Sequence, residues 1–127
     1  MILITIASST TFSPVTLGIT MQPLPSTHSP SLETLQRYVA EMEQERGFSD
    51  STIIEQCLKL SEETGEVCKA VRKHASLSID PTSSTGSVGA ELADVLIYVA
   101  SIANRAGVDL SEALREKERI NETRVWR

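Results

Sequence analysis

Residues 88–106 read VGAELADVLIYVASIANRA. Apolar side chains fill most of this run, among them Leu92, Val95, Leu96, Ile97, Val99 and Ile102. One narrow polar seam crosses it, carrying Glu91, Asp94, Ser101 and Arg105, with Tyr98 between them. A helix apolar around most of its circumference is expected to be buried on most sides. Two carboxylates three positions apart lie on one helix face, so Glu91 and Asp94 can address a single point. Gly107 supplies the stop, as a residue that tolerates the left-handed turn after a helix.

Upstream, a second helix is expected over residues 51–74. Thr52-Ile53-Ile54-Glu55 has the form of a capping box. Lys69, Arg72, Lys73 and His74 crowd the other end, where cations suit the helix dipole. Its apolar arc is broad: Ile53, Ile54, Cys57, Leu58, Leu60, Val67, Cys68 and Val71. This helix carries Glu62, Glu63 and Glu66, and the last two repeat the three-residue spacing of Glu91 and Asp94. Taken alone, that trio reads more readily as a solvated acidic face, with Lys59 and Lys73 as surface partners. The apolar third helix shifts the balance. If the two helices pack antiparallel, four carboxylates face one another, and like charges held close repel unless a cation lies between them. Hard cations such as Mg²⁺ or Mn²⁺ take such oxygen ligands, and Mg²⁺ commonly keeps waters and substrate phosphates in its shell. A di-iron bundle would need Glu-x-x-His pairs, and neither His28 nor His74 sits in one.

Two further helices complete the pattern. Residues 32–46 form the first, with Ser31 as N-cap, Leu35, Val39 and Met42 at helical spacing, and Gly47 as the stop. The fourth begins at Asp109, with Glu112 as its acidic N3 partner, and runs to about Arg124. Between the second and third lies a Ser/Thr-rich linker with Pro81 and Gly86, expected to be mobile. The fold class is therefore all-α: an antiparallel four-helix bundle with one long connection. So apolar a third helix in so short a chain points to a core completed by oligomerisation, as a homodimer or homotetramer.

The bulk numbers agree with one domain. The chain has 127 residues and a formal net charge of -5, which gives no support to nucleic-acid binding. Residues 1–31 contain no Asp, Glu, Lys or Arg and read as a poorly ordered arm. The opening MILITIA is too short to span a bilayer and lacks the basic start of a secretory signal, so no membrane role is expected. The alternative to such an arm is an upstream extension in front of a native start at Met21 rather than Met1. Cys57 and Cys68 lie eleven positions apart on one helix, roughly 16 Å at 1.5 Å per residue, too far for a disulfide. They are expected to be small core residues of a reduced, cytoplasmic protein.

Glu62-Glu63-Thr64-Gly65-Glu66, followed two dozen residues later by Glu91-Leu92-Ala93-Asp94, resembles the EExxE…ExxD signature of MazG-like nucleoside triphosphate pyrophosphohydrolases. The flanking LSEETGEVCKAVRK and GAELADVLIYVASIANRAGVDLSEAL are similar to that family, as is Glu45-Arg46-Gly47-Phe48. The likeness covers residues 32–127. It implies a bundle of the MazG-like type, with Glu63, Glu66, Glu91 and Asp94 as Mg²⁺ ligands and Glu62 as an outer group or the base that orients water. It implies hydrolysis of a (deoxy)nucleoside triphosphate to monophosphate and pyrophosphate, as house-cleaning of the nucleotide pool. Within the same fold, a dimeric dUTPase or a phosphoribosyl-ATP pyrophosphohydrolase is an alternative. A non-enzymatic helical interaction module is the alternative of a different class.

The fourth helix adds a stripe of Leu110, Leu114, Lys117, Asn121 and Arg124. It begins apolar and ends polar, and inward polar groups need partners; a triphosphate would supply them, whereas a frayed, solvated turn would need none. One dCTP-hydrolysing subgroup of the family has a similar ending. Here Arg124 and Trp126 stand where that subgroup has Lys and Tyr. Lys73 is a further candidate for phosphate charge. Phe48 and Trp126 are candidates for stacking on a base, although such residues more often serve packing.

Overall fold

A computed structural model of the chain describes Leu24 and residues 29–125. Among these residues the elements are four α-helices: α1 (Leu32–Arg46), α2 (Ile53–His74), α3 (Val88–Ala106) and α4 (Leu110–Asn121). The sequence sets their ends locally. Ser31 Oγ accepts the Thr34 amide at 3.1 Å, Ser87 Oγ accepts that of Ala90 at 3.1 Å, and Asp109 Oδ1 accepts that of Glu112 at 3.0 Å. Each cap satisfies an amide that the helix itself leaves without a partner. Gly47 (φ 76°) and Gly107 (φ 65°) close α1 and α3 in the left-handed region, where a Cβ would be strained. α2 starts at Ile53 rather than residue 51 because Thr52 stands outside it as the cap. α4 ends at Asn121, so Arg124 lies beyond the helix expected to carry it. The N-terminal arm, apart from Leu24 and residues 29–31, lies outside the described residues, as does Trp126.

The capping box of α2 is complete. Thr52 Oγ1 accepts the Glu55 amide at 3.2 Å, and Glu55 Oε2 accepts the Thr52 amide at 2.6 Å. The backbone bond from Thr52, and then its hydroxyl, hold the Glu55 carboxyl below its usual range. A depressed acid contributes stability above its unfolded pKa and loses it as pH falls through the folded one. The Glu55 share of the box therefore persists at neutral pH and disappears only in acid. Replacing the cap itself, Thr52→Ala, is expected to cost about 1 kcal/mol in urea denaturation. An unchanged midpoint would show that tertiary contacts alone fix this end.

α3 is the central element. α2 lies antiparallel along one side of it: Arg105 of α3 meets Ser51 ahead of α2, and Asp94 meets Glu63 further along. α1 packs on the other side, and α4 packs chiefly on α1. Val39, Met42 and Ala100 form the core between α1 and α3, with Leu35, Tyr38, Ile97 and Leu110 against it. Gln36 fastens the turn into α4, donating to Asn104 Oδ1 and the Val108 carbonyl and accepting the Leu110 amide.

Two burial expectations are corrected. Within this chain Leu92 and Leu96 of α3 stay half exposed, at 48% and 50%, so one apolar face of α3 is left open. Cys57 and Cys68 are exposed free thiols, not core residues. The reason lies in α2, whose apolar arc divides into two stripes. Gln56, Leu60, Glu63, Val67 and Ala70 face α3 and are buried or partly buried. Ile54, Cys57, Leu58 and Cys68 lie on the far side, where no other described helix covers them; Ile54 is 70% exposed. Among the described residues no helix is long and apolar enough to cross a membrane.

Candidate functional site

The antiparallel seam between α2 and α3 brings three of the expected ligands together. Glu63, Glu91 and Asp94 each offer a carboxylate oxygen, and these oxygens lie within 4.8 Å of one another. Burial raises the Glu63 pKa first, and Asp94, Glu91, Glu66 and Glu62 then raise it further in that order. Each neighbouring carboxylate disfavours negative charge at Glu63, as expected where like charges converge. The donor set is all oxygen and partly buried, so it fits a hard divalent cation. Tyr98 stands beside the cluster as a neutral phenol, its pKa raised by burial and then by Glu63 and Asp94.

Glu66 is placed differently. Its carboxylate is held by Lys69 Nζ at 2.7 Å, one turn along the same helix. Both groups are substantially exposed, and pairs of this kind contribute little, about 0–1 kcal/mol. Glu66 is thus close enough to act on Glu63 electrostatically while its oxygens are engaged elsewhere. Glu62 is exposed next to Glu63.

Glu91 is aimed by the linker. Its Oε1 accepts the Gly86 amide at 3.0 Å. A Cβ on Gly86 would lie 2.1 Å from that same oxygen. The end of a glutamate can swing away at little cost to the fold, but it would leave the cluster. Gly86→Ala is therefore expected to leave the melting temperature nearly unchanged. It should raise the metal concentration needed for half-maximal activity roughly ten-fold or more, the usual scale for losing a group that orients a ligand. An unchanged metal requirement would remove Glu91 from the ligand set.

A cavity of about 270 Å³ opens beside the cluster and shares Glu63 and Asp94 with it. Phe48, Tyr98, Gln56 and Lys59 are among its walls. Phe48 is half exposed, and Lys59 Nζ lies 5.9 Å from its ring centroid, within cation–π range. Behind the cavity, Arg105 forms a buried pair with Glu43, Nη1 to Oε2 at 2.7 Å. Ser101 Oγ also donates to Glu43. Arg105 Nε donates to the Ser51 carbonyl at 2.7 Å and Nη2 to the Phe48 carbonyl at 3.2 Å. The guanidinium thus fixes the turn that carries Phe48.

The remaining expected residues lie elsewhere in this chain. Lys117 lines an apolar groove with Leu96, Val99 and Leu114, away from the carboxylates. Asn121 Nδ2 donates to Glu118 at 2.9 Å, and Arg124 is exposed. Lys73 lines a shallow pocket with Gly86 and Ser87 behind the cluster. Sequence reasoning passed over Gln56 and Glu43, and read Lys59 only as a surface partner of the acidic trio. Gln56 was readable in principle, because it precedes Leu60 and Glu63 at 4- and 7-residue spacing on one face. Glu43 likewise follows Val39 by four residues on the buried face of α1.

The MazG nucleotide pyrophosphohydrolase domain model matches residues 50–124, which hold both carboxylate pairs and the Phe48-proximal end of α2. The chain belongs to the MazG family. A dATP/dGTP diphosphohydrolase of Salmonella phage PMBT28 is 35% identical over 119 residues, covering 86% of this chain and 36% of the phage protein. A dATP/dGTP diphosphohydrolase of Cyanophage S-2L is 41% identical over 68 residues, covering 54% of this chain and 52% of the relative. The chain thus spans only about a third to a half of the length of these two phage proteins.

Proposed function

We propose that this chain hydrolyses a (deoxy)nucleoside triphosphate to the monophosphate and pyrophosphate. The observation that carries the reading is the convergence of Glu63, Glu91 and Asp94 beside a cavity walled by Phe48 and Tyr98. The two phage relatives support purine deoxynucleoside triphosphates as the substrate class; the biological role in this proposal is removal of surplus or aberrant nucleotides.

In this reading Glu63, Glu91 and Asp94 hold Mg²⁺, with Mn²⁺ as a substitute. Glu66 would be the fourth ligand, in place of its weak pairing with Lys69. A divalent ion there supplies charge neutralisation on the phosphate oxygens and a more acidic bound water. Glu62 orients the attacking water and accepts its proton; the water oxygen bonds to one of the two phosphorus atoms flanking the α–β bridge, that phosphorus loses its bond to the bridging oxygen, and monophosphate and pyrophosphate separate. Lys59, with Lys73, meets the charge of the polyphosphate, while the ring of Phe48 stacks on the base.

The exposed stripe of Ile54, Leu58 and Cys68 and the half-exposed Leu92 and Leu96 support a homodimer or homotetramer. In such an assembly Lys117, Asn121, Arg124 and Trp126 would serve a neighbouring subunit's site. Exposed free thiols suit the reducing cytoplasm. Residues 32–127 act as one catalytic unit.

A panel of canonical and modified triphosphates with Mg²⁺ or Mn²⁺, assayed for pyrophosphate release, tests the reading. Orthophosphate release alone, or inertness toward every triphosphate, would overturn it.

A further inference from the structure

Gln56 is only 3% exposed, yet its side-chain amide has no hydrogen-bond partner among the described residues. Neither of its polar atoms is sealed in protein: the fully enclosed and unpartnered side-chain atoms are those of Thr85 and Asn121. The amide instead borders the cavity beside the carboxylate cluster. A buried amide left unpaired costs about 1–3 kcal/mol, so the Gln56 donor and acceptor take their partners from what fills the cavity, and a ligand that displaces water there must replace those hydrogen bonds. The other deep polar group in the wall, Glu43, is already engaged by Arg105 and Ser101.

Position fixes what that occupant presents. Gln56 and Glu63 lie on the same face of α2, seven residues apart, roughly 10.5 Å along the axis at 1.5 Å per residue. A nucleotide with its phosphates at Glu63 and Asp94 would extend its base along the α2 face towards Gln56. The rings of Phe48 and Tyr98 offer the apolar surface that a base needs.

We propose that Gln56 is the base-reading residue of this site, pairing through its amide carbonyl and NH₂ with an adjoining donor and acceptor on one edge of the nucleobase. Glutamine makes such a two-point contact with the amino group and ring nitrogen of adenine. The assignment rests on the pyrophosphohydrolase reading for its substrate and adds the residue that selects the base. Gln56 acts on binding of the base and leaves the phosphate chemistry to the carboxylates.

The test compares the four canonical deoxynucleoside triphosphates with the triphosphate of unsubstituted purine deoxyriboside, which lacks exocyclic hydrogen-bonding groups. The wild type is expected to prefer its best canonical substrate over the bare purine by about ten-fold or more in kcat/KM. In Gln56→Leu the preference should fall to near unity, chiefly through a higher KM for the canonical substrate with kcat retained. Leucine removes both polar atoms at similar volume; should it fail to fold, Gln56→Met makes the same comparison. No preference in the wild type, or a preference that survives in a folded variant, overturns the assignment. Inertness of the wild type toward all five triphosphates would instead overturn the hydrolase reading. The assignment would then be decided by calorimetric binding of deoxynucleoside monophosphates to wild type and variant, equal affinities counting against it.

Discussion

Asp94→Asn and Glu63→Gln are each expected to abolish pyrophosphate release while leaving helix content intact. The stabilisation at stake is that of a metal-held phosphate, several kcal/mol, and each 1.36 kcal/mol is a factor of ten. Loss of about three orders of magnitude is the expected scale. Either change removes one negative charge from a cluster in which every neighbour raises the Glu63 pKa, so the metal-free protein should melt no lower than the wild type. The discriminating measurement is the response to Mg²⁺. Wild type should melt at higher temperature as Mg²⁺ is added, because a ligand of the folded state alone must stabilise it, and Asp94→Asn should lose that response. Full activity in either variant would remove the cluster as the catalytic centre. Glu66→Gln is expected to be milder than Asp94→Asn, since Glu66 must first leave Lys69 to take part.

The second large effect is structural. Arg105→Leu is expected to destabilise the fold by about 3–5 kcal/mol, the usual cost of stranding one partner of a buried ion pair. Glu43 would remain 8% exposed with only Ser101 to face its charge. The carbonyls of Phe48 and Ser51 would lose their donor at the same time. The double variant Glu43→Leu/Arg105→Leu should recover a large part of the loss, because replacing both charges by apolar groups is often close to neutral. Urea denaturation of the wild type, Arg105→Leu, Glu43→Leu and the double variant decides it. Additive losses would show that the pair contributes no coupling. The same variants should raise KM for the nucleotide, because Arg105 anchors the turn that presents Phe48 to the cavity.

The helices were legible because their signals are local. Ser31, Thr52 and Asp109 cap through amides within three residues, and Gly47 and Gly107 stop helices through their own backbone freedom. The cysteines were misread for a related reason. Periodicity reveals that α2 is apolar on a broad arc, but it cannot say that the arc splits into two stripes or which one α3 covers. Cys57 and Cys68 fall on the stripe that α3 leaves bare. Arg105 was visible on the polar seam, but its partner lies 62 positions away on α1, beyond the reach of any local pattern.

The sequence by itself determined that two helices would each carry carboxylates three residues apart, because helical geometry puts such positions on one face wherever the helix lies. Only the tertiary structure decided that Glu63, Glu91 and Asp94 converge while Glu66 turns to Lys69. Only it decided that Gln56, an ordinary polar residue in the chain, is buried against the cavity. Those outcomes depend on how α2 crosses α3 and on where the linker brings Gly86, and contacts across such distances are set by the packing of whole helices.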